Sequence, residues 1–537
     1  MKSGIMRIRG RAGVVCVLAA VVGVGACGGG DLDRRDVLEA LQTRPEATDF
    51  IETSRYTDVM DFLETVVPLD DRMHLITFGY TTEGRSLPMV VVGAPDESPD
   101  AVRATGKLRV YLQGGIHSGE VPGKESLQML LREIAQGRHD ALLEEMVLLV
   151  APIYNADGAE RVTLDNRPLQ HGPIGGMGQR PNAMGLDLNR DHMKLDAPES
   201  RALTRMLTAY DPHVGVDLHT TNGTHHGYHL TYSPPLHPDT PESIDALLRD
   251  RWLPETTEGM LQRTGWHTYY YGNVFPPGPD EEPGWATFDA RPRFGTNYLG
   301  LRNRIGILSE AYSYLTLRDR IEATRIFVEE ILGFAQRNAD AIEEAVDAAD
   351  ALPIVGQEVG IRSEIERSAD PVDILMGAVD TVHHPYTGEP MHLRREETRT
   401  VPMYEWGSFA AVHTVVAPDA YYLPPELANV VERLRAHGVV VEDVEGANFV
   451  GGEAFGVTSA TSAERPFQGR VERTFGGVWR PETVAMPEGT VRVPVAQPLG
   501  RLVVHLLEPE AEDGFANWGL LDDWIAVGQD YPVVRGP

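Results

Sequence analysis

His117 and Glu120 stand three residues apart, just past an apolar strand from Leu108 to Leu112 and the pair Gly114-Gly115. Helical periodicity follows from Lys124 to Ala135. An imidazole and a carboxylate at a strand-to-helix junction can point at one spot, and they are a pair that holds a metal. A catalytic zinc ion takes three N, O or S ligands and keeps one position for water. Cysteine cannot be among them, because the only two, Cys16 and Cys27, lie near the N-terminus. The third ligand is sought at the carboxyl end of another strand, where open α/β sheets place their sites. The strand His213 to Leu218 ends directly at His219; His225, His226 and His229 lie beyond it, in the next loop and hairpin.

Two further groups fit hydrolytic chemistry at such a metal. Asp187-Leu188-Asn189-Arg190 sets an amide beside a guanidinium, and Arg180 precedes it. Arginine is suited to bidentate recognition of a carboxylate. The competing reading is a capped turn with a surface salt bridge. Glu310 follows the apolar strand Arg304 to Leu308. A carboxylate there needs a task or a partner. It is either a general base or half of an ion pair with Arg302 or Arg304.

These blocks, in this order, resemble the zinc carboxypeptidase family of the carboxypeptidase A type. The pattern comprises His-x-x-Glu at 117–120, then Pro152-Ile153-Tyr154-Asn155-Ala156-Asp157-Gly158. Arg180 comes next, followed by Gly185 to Arg190, His219 and Glu310. The resemblance covers about residues 50–345 and extends to large bacterial members with C-terminal extensions. It implies one Zn²⁺ ion held by His117, Glu120 and His219. It implies Glu310 as the general base and Arg180 as the group that stabilises the developing oxyanion. Asn189 and Arg190 would hold the free carboxylate of a peptide C-terminus. The family also has a mobile tyrosine that caps that carboxylate; Tyr298 is the expected equivalent, ahead of Tyr312 and Tyr314. One departure is Asp191, whose charge beside the grip calls for pairing by Lys194.

The elements that must position these residues alternate strand and helix. Strands are expected at 75–80, 87–93, 108–113, 146–153, 213–218, 227–233, 267–274 and 304–308, with helices at 49–64, 124–137, 197–209 and 317–348. A long Gly/Pro-rich loop spans about 163–185. The expected fold is α/β, a mixed sheet of about eight strands with helices on both faces. That domain covers 49–350, and a mostly β C-terminal domain, read as a rigid structural partner, covers 351–537.

The N-terminus reads differently. Lys2, Arg7, Arg9 and Arg11 precede an apolar run from Ala12 to Ala26. Such a run is shorter than the roughly 20 residues that span a bilayer and has the form of an export signal. Val24-Gly25-Ala26-Cys27 resembles a bacterial lipoprotein processing site, with residues 1–26 removed, Cys27 lipidated and 27–48 as a tether. The chain is then expected in the cell envelope, anchored to a membrane and facing periplasm or exterior. A net charge of −31 argues against nucleic acid as a partner.

The expected activity is zinc-dependent removal of the C-terminal residue of peptides. A cell-wall (murein) peptide amidase with the same machinery is one alternative. A non-catalytic peptide-binding envelope lipoprotein is the other.

Overall fold

A computed structural model describes residues 34–275, 283–446 and 448–537, without the side chains of 448–450. The signal segment, Cys27 and the first residues of the tether lie outside the described residues. Eight strands build the central sheet. They are β1 (Met73–Tyr80), β2 (Ser86–Val92), β3 (Leu108–Gly114), β4 (Met146–Ala151), β5 (Val214–Thr220), β6 (Leu230–Ser233), β7 (Thr268–Tyr270) and β8 (Ile305–Ala311). Their order across the sheet is β1-β2-β4-β3-β5-β8-β6-β7. The β4-β3-β5-β8 centre is parallel, and antiparallel pairs flank it. This is the mixed sheet expected from the alternation of apolar strands and amphipathic helices.

Side chains of a strand alternate between faces, and β2 shows the consequence. Leu87, Met89 and Val91 enter one core with Leu203 and Leu207 of the helix Pro198–Tyr210. Val90 and Val92 enter the other, with Leu127 and Leu131 of the helix Pro122–Ala135 and Phe327 and Ile331 of the helix Leu317–Arg337. Two helices start or stop away from the expected residues. The first large one is Tyr56–Val66, because Asp49 and Phe50 adopt positive φ and cannot belong to a helix. The expected helix 317–348 is two, Leu317–Arg337 and Ala339–Ala351, divided at Asn338, whose φ is −132°.

The C-terminal part contains a six-stranded sheet in which a long hairpin, Asn448–Ser462 with Arg473–Met486, is prominent. It is joined to the first part by more than the chain. Gly284–Ala286 pairs in parallel with Arg399–Trp406. Leu169–Gln170, from the Gly/Pro-rich loop, pairs with Met391 and His392. Val430, Leu434, Leu502, Phe515 and Trp518 enter the same core as Leu87 and Met89.

Candidate metal centre

The ends of β3, β5 and β8 meet at one cavity of about 150 Å³. After β3 the chain turns through Gly115, whose φ of +71° favours glycine. Gly114 lies so close to the first helical turn that a Cβ would sit 2.8 Å from the Lys124 nitrogen. That contact draws the helix start against the strand end and delivers His117 and Glu120. The parallel register of β8 on β5 sets Glu310 opposite His219. His117, Glu120, His219, Arg180, Asn189, Arg190 and Glu310 all line the cavity.

His117 Nδ1 lies 3.0 Å from one Glu120 oxygen and His219 Nδ1 2.8 Å from the other. One ligand atom from each of the three residues falls within 4.8 Å of the other two. The far ring nitrogens are held as well. His117 Nε2 is 3.0 Å from Asp187, and His219 Nε2 is 2.7 Å from Asp217. A metal-ligating histidine is usually oriented by a carboxylate on its second nitrogen. Two imidazoles and a carboxylate, buried, converging and supported from behind, therefore fit a zinc ion.

The electrostatics agree. Burial opposes charge on His219, yet Asp217 and Glu120 hold its pKa well above the ordinary value. Burial also works against the charge of Glu120, but His117, Arg167 and His219 keep it ionised, well below the usual carboxylate range. Such a site attracts a cation in place of the protons. Glu310 behaves oppositely: burial, reinforced by the Glu120 charge, pushes it up to about 8 against the pull of His219 and Arg180. Its Oε2 has no hydrogen-bond partner. Arg304 is engaged by Asp211 and Asp350, and Arg302 by the His437 carbonyl and the Tyr298 hydroxyl, so neither pairs with it.

Beside the three ligands, Arg180 Nε donates to Asp187 at 2.8 Å, and its Nη1 lies 3.3 Å from His117 Nδ1. Asn155, of the block at 152–158, holds the Arg180 carbonyl through its Nδ2 at 3.1 Å. Arg190 lies over the Phe294 ring at 4.0 Å from its centre. Asn189 Oδ1 accepts from the Gly295 amide, which leaves its Nδ2 as the donor for an anion. Asp191 is buried and paired with Lys194, and it also accepts the amides of Asp196 and Ala197. Its charge is thus absorbed away from the grip.

Tyr298 does not reach the cavity. It is fully buried in the helix Gly295–Leu301, and its hydroxyl meets His437 Nδ1 at 2.7 Å. Tyr312 is also buried, 4.3 Å from the His226 ring, and neither it nor Tyr314 lines the cavity. The cavity tyrosine is Tyr271, whose ionisation burial and the Glu310 charge oppose. Arg167 is another residue that sequence reasoning missed; its Nη2 donates to Glu120 at 2.6 Å. No spacing marks Tyr271 or Arg167, which come from loops. Asp217 had a readable signal, since residues two apart on a strand share a face.

Two other clusters of metal-type side chains occur among the described residues. Glu133, His139 and Glu329 are neutralised by Arg138, Arg263 and Arg325. In His237, Asp239 and His505 several of the donor atoms are already engaged. His237 Nδ1 accepts the Asp239 amide, and Asp239 accepts the Gly360 amide and faces His505 Nε2. No described helix is long and apolar enough to cross a membrane.

The chain is similar to known carboxypeptidases. Residues 58–245 match the zinc carboxypeptidase family. Carboxypeptidase 2 of Trichophyton tonsurans is 26% identical over 477 residues, covering 84% of this chain and 81% of that protein. Carboxypeptidase 2 of Trichophyton rubrum is 26% identical over 482 residues, with the same coverage of each chain. Matches over 84% of this chain necessarily extend into its C-terminal part. A metallo-carboxypeptidase from Burkholderia cenocepacia superposes with a TM-score of 0.40 at 14% identity, covering 54% of this chain and 70% of that one.

Proposed function

We propose that this chain, whose residues 58–245 match the zinc carboxypeptidase family and which is similar to carboxypeptidases over most of its length, is a metallocarboxypeptidase that acts as an exopeptidase and hydrolyses the last peptide bond of peptides with a free C-terminal carboxylate. The observation that carries the reading is one cavity lined by His117, Glu120 and His219, by Glu310, and by Asn189 with Arg190. His117 Nδ1, His219 Nδ1 and the Glu120 carboxylate would hold the zinc ion. When bound, the ion polarises the scissile carbonyl and acidifies a water molecule.

Asn189 Nδ2 and the Arg190 guanidinium hold the terminal carboxylate, with Phe294 backing the guanidinium plane. That grip sets which bond is cut, since an internal peptide bond has no carboxylate to offer. Arg180, steered by Asp187, donates to the carbonyl oxygen as negative charge develops there. Glu310 takes a proton from water as the water oxygen bonds to the carbonyl carbon. It then delivers that proton to the amine nitrogen as the C–N bond breaks. Tyr271 replaces Tyr298 as the tyrosine able to close over the substrate.

A panel of blocked dipeptides ending in acid or amide tests the reading. Only the acids are expected to turn over, and equal rates on both would show that Arg190 and Asn189 do not hold a terminal carboxylate. A murein tripeptide belongs in the same panel. Turnover of murein fragments alone would make the chain a cell-wall peptide amidase. A wild-type protein that binds peptides and hydrolyses none would make it the non-catalytic lipoprotein.

Export and lipid anchoring at Cys27 are part of the proposal and rest on the basic, apolar and Gly-Ala-Cys order of residues 1–27. Full-length protein expressed in a bacterium should partition into detergent, and Cys27→Ser should move it to the aqueous phase. Aqueous partitioning of both would end the anchor reading.

A further inference from the structure

The hairpin of the C-terminal part ends against the metal centre. Phe467 and Arg470 form an antiparallel bridge with hydrogen bonds in both directions, enclosing Gln468 and Gly469. Both enclosed residues have positive φ, +50° and +77°, the sign pattern of a type I′ turn. Asn, Asp or Gly is the usual first central residue of such a turn, and glutamine there carries a conformational cost. Backbone strain of this kind persists only where the surroundings enforce it.

The surroundings are specific. Gln468 Oε1 accepts the backbone N–H of Asp187 at 2.7 Å. Asp187 is a junction of the site. One of its oxygens meets His117 Nε2 at 3.0 Å and accepts the Asn189 amide at 2.9 Å, and the other accepts Arg180 Nε at 2.8 Å. The turn itself is pinned on both sides. Arg470 makes two hydrogen bonds to Asp196, of 2.6 and 2.7 Å, and Phe467 stacks on Trp518 with ring centres 6.3 Å apart.

We propose that Gln468 is a positioning residue of the metal centre: the C-terminal part inserts a strained turn whose side-chain carbonyl fixes Asp187, and through it His117, Arg180 and Asn189. The proposal rests on His117 being a zinc ligand. It gives the C-terminal part a role in the chemistry that the β-rich composition alone does not suggest.

Gln468→Gly separates this role from a structural one. Glycine relaxes the turn and removes the carbonyl, so a merely structural Gln468 predicts a variant that melts no lower and works as well as wild type. Positioning predicts a melting temperature at or above wild type, together with faster loss of zinc to a chelator, by about three- to tenfold. That is the low end of, or below, what groups directly behind a metal-ligating histidine contribute. Exchange of the Asp187 amide proton should accelerate in the metal-free protein. On a blocked dipeptide acid, kcat should fall and KM should rise, since the oxyanion and carboxylate groups both hang on Asp187. Gln468→Met keeps the bulk without the carbonyl and should show the same losses, which covers the case in which the glycine variant misfolds. If both variants retain zinc and turnover at wild-type levels, Gln468 has no positioning role. If wild type itself neither binds zinc nor turns over, it is the zinc carboxypeptidase reading that fails.

Discussion

A general base must be ionised before it can accept a proton, yet in the metal-free site burial and the Glu120 carboxylate hold Glu310 up to about 8. A dication placed among His117, Glu120 and His219 reverses that balance, because it becomes the largest local charge. Zinc binding at neutral pH should therefore expel the Glu310 proton as well as any carried by the ligands. Calorimetry in buffers of different ionisation enthalpy should show Glu310→Gln releasing about one proton fewer than wild type, with kcat lower by about 10²–10⁴-fold. Equal proton counts would mean that Glu310 is ionised before the metal arrives. The same shift predicts a pH effect on stability. The folded metal-free protein binds the Glu310 proton more tightly than the unfolded chain, whose carboxyl has the ordinary value of 4.5. The stabilisation is complete below that value and is lost as pH rises through about 8. Metal-free Glu310→Gln, permanently neutral there, should match wild type at low pH and melt above it near pH 9. At this scale the proposed ligands and base are legible in the sequence because each lies at, or a few residues past, the carboxyl end of a strand. Tyr298 is not the capping tyrosine it was expected to be, because a lone tyrosine carries no spacing, and its ring serves the core beside His437.

The strand ends do their work through two periodicities. Along β5 the period of two sets Asp217 and His219 on one face, so the carboxylate behind the imidazole comes from the same strand as the ligand. Across the sheet, the parallel register of β8 brings Glu310 level with His219. Asp217→Asn keeps an acceptor at that position and removes its charge. Zinc affinity measured against a competing chelator should fall by about ten- to a hundredfold, with the fold unchanged. No loss would show that the strand positions His219 without help. The Gly/Pro-rich loop is the contrasting case. Arg167 and Arg180 are brought to the cavity by a segment whose pairing partner, Met391–His392, lies far along the chain. Local pattern cannot reveal such a pairing. Hence the five motif blocks are readable in order, whereas the way the loop is tied down is not.

The two parts of the molecule were expected as a catalytic domain and a rigid partner, and their packing shows how closely the second supports the first. Arg293, buried beside the grip residue Phe294, is bound to Asp513 and Glu472. His437 caps the Met193 carbonyl, and Arg433 holds the Lys194 carbonyl and Asp196. The segments 187–196 and 289–298, which carry the proposed anion grip, are thus held from outside the motif region. A buried pair such as Arg293 and Asp513 adds little net stability by itself, but each charge becomes a large penalty when its partner is removed. The apolar contacts bind the two parts equally closely, for Leu203, Leu207 and Tyr298 share one core with Val430, Leu434 and Trp518. A chain cut at residue 350 would leave that sheet face open to water and strand Arg293 without its carboxylates. Residues 34–350 alone should therefore be aggregated, or melt at least about 10 °C below the 34–537 protein, as read by size-exclusion chromatography and calorimetry. A cut protein that is monomeric, equally stable and fully active would show that the C-terminal part is an accessory, and that the grip stands on the catalytic sheet by itself.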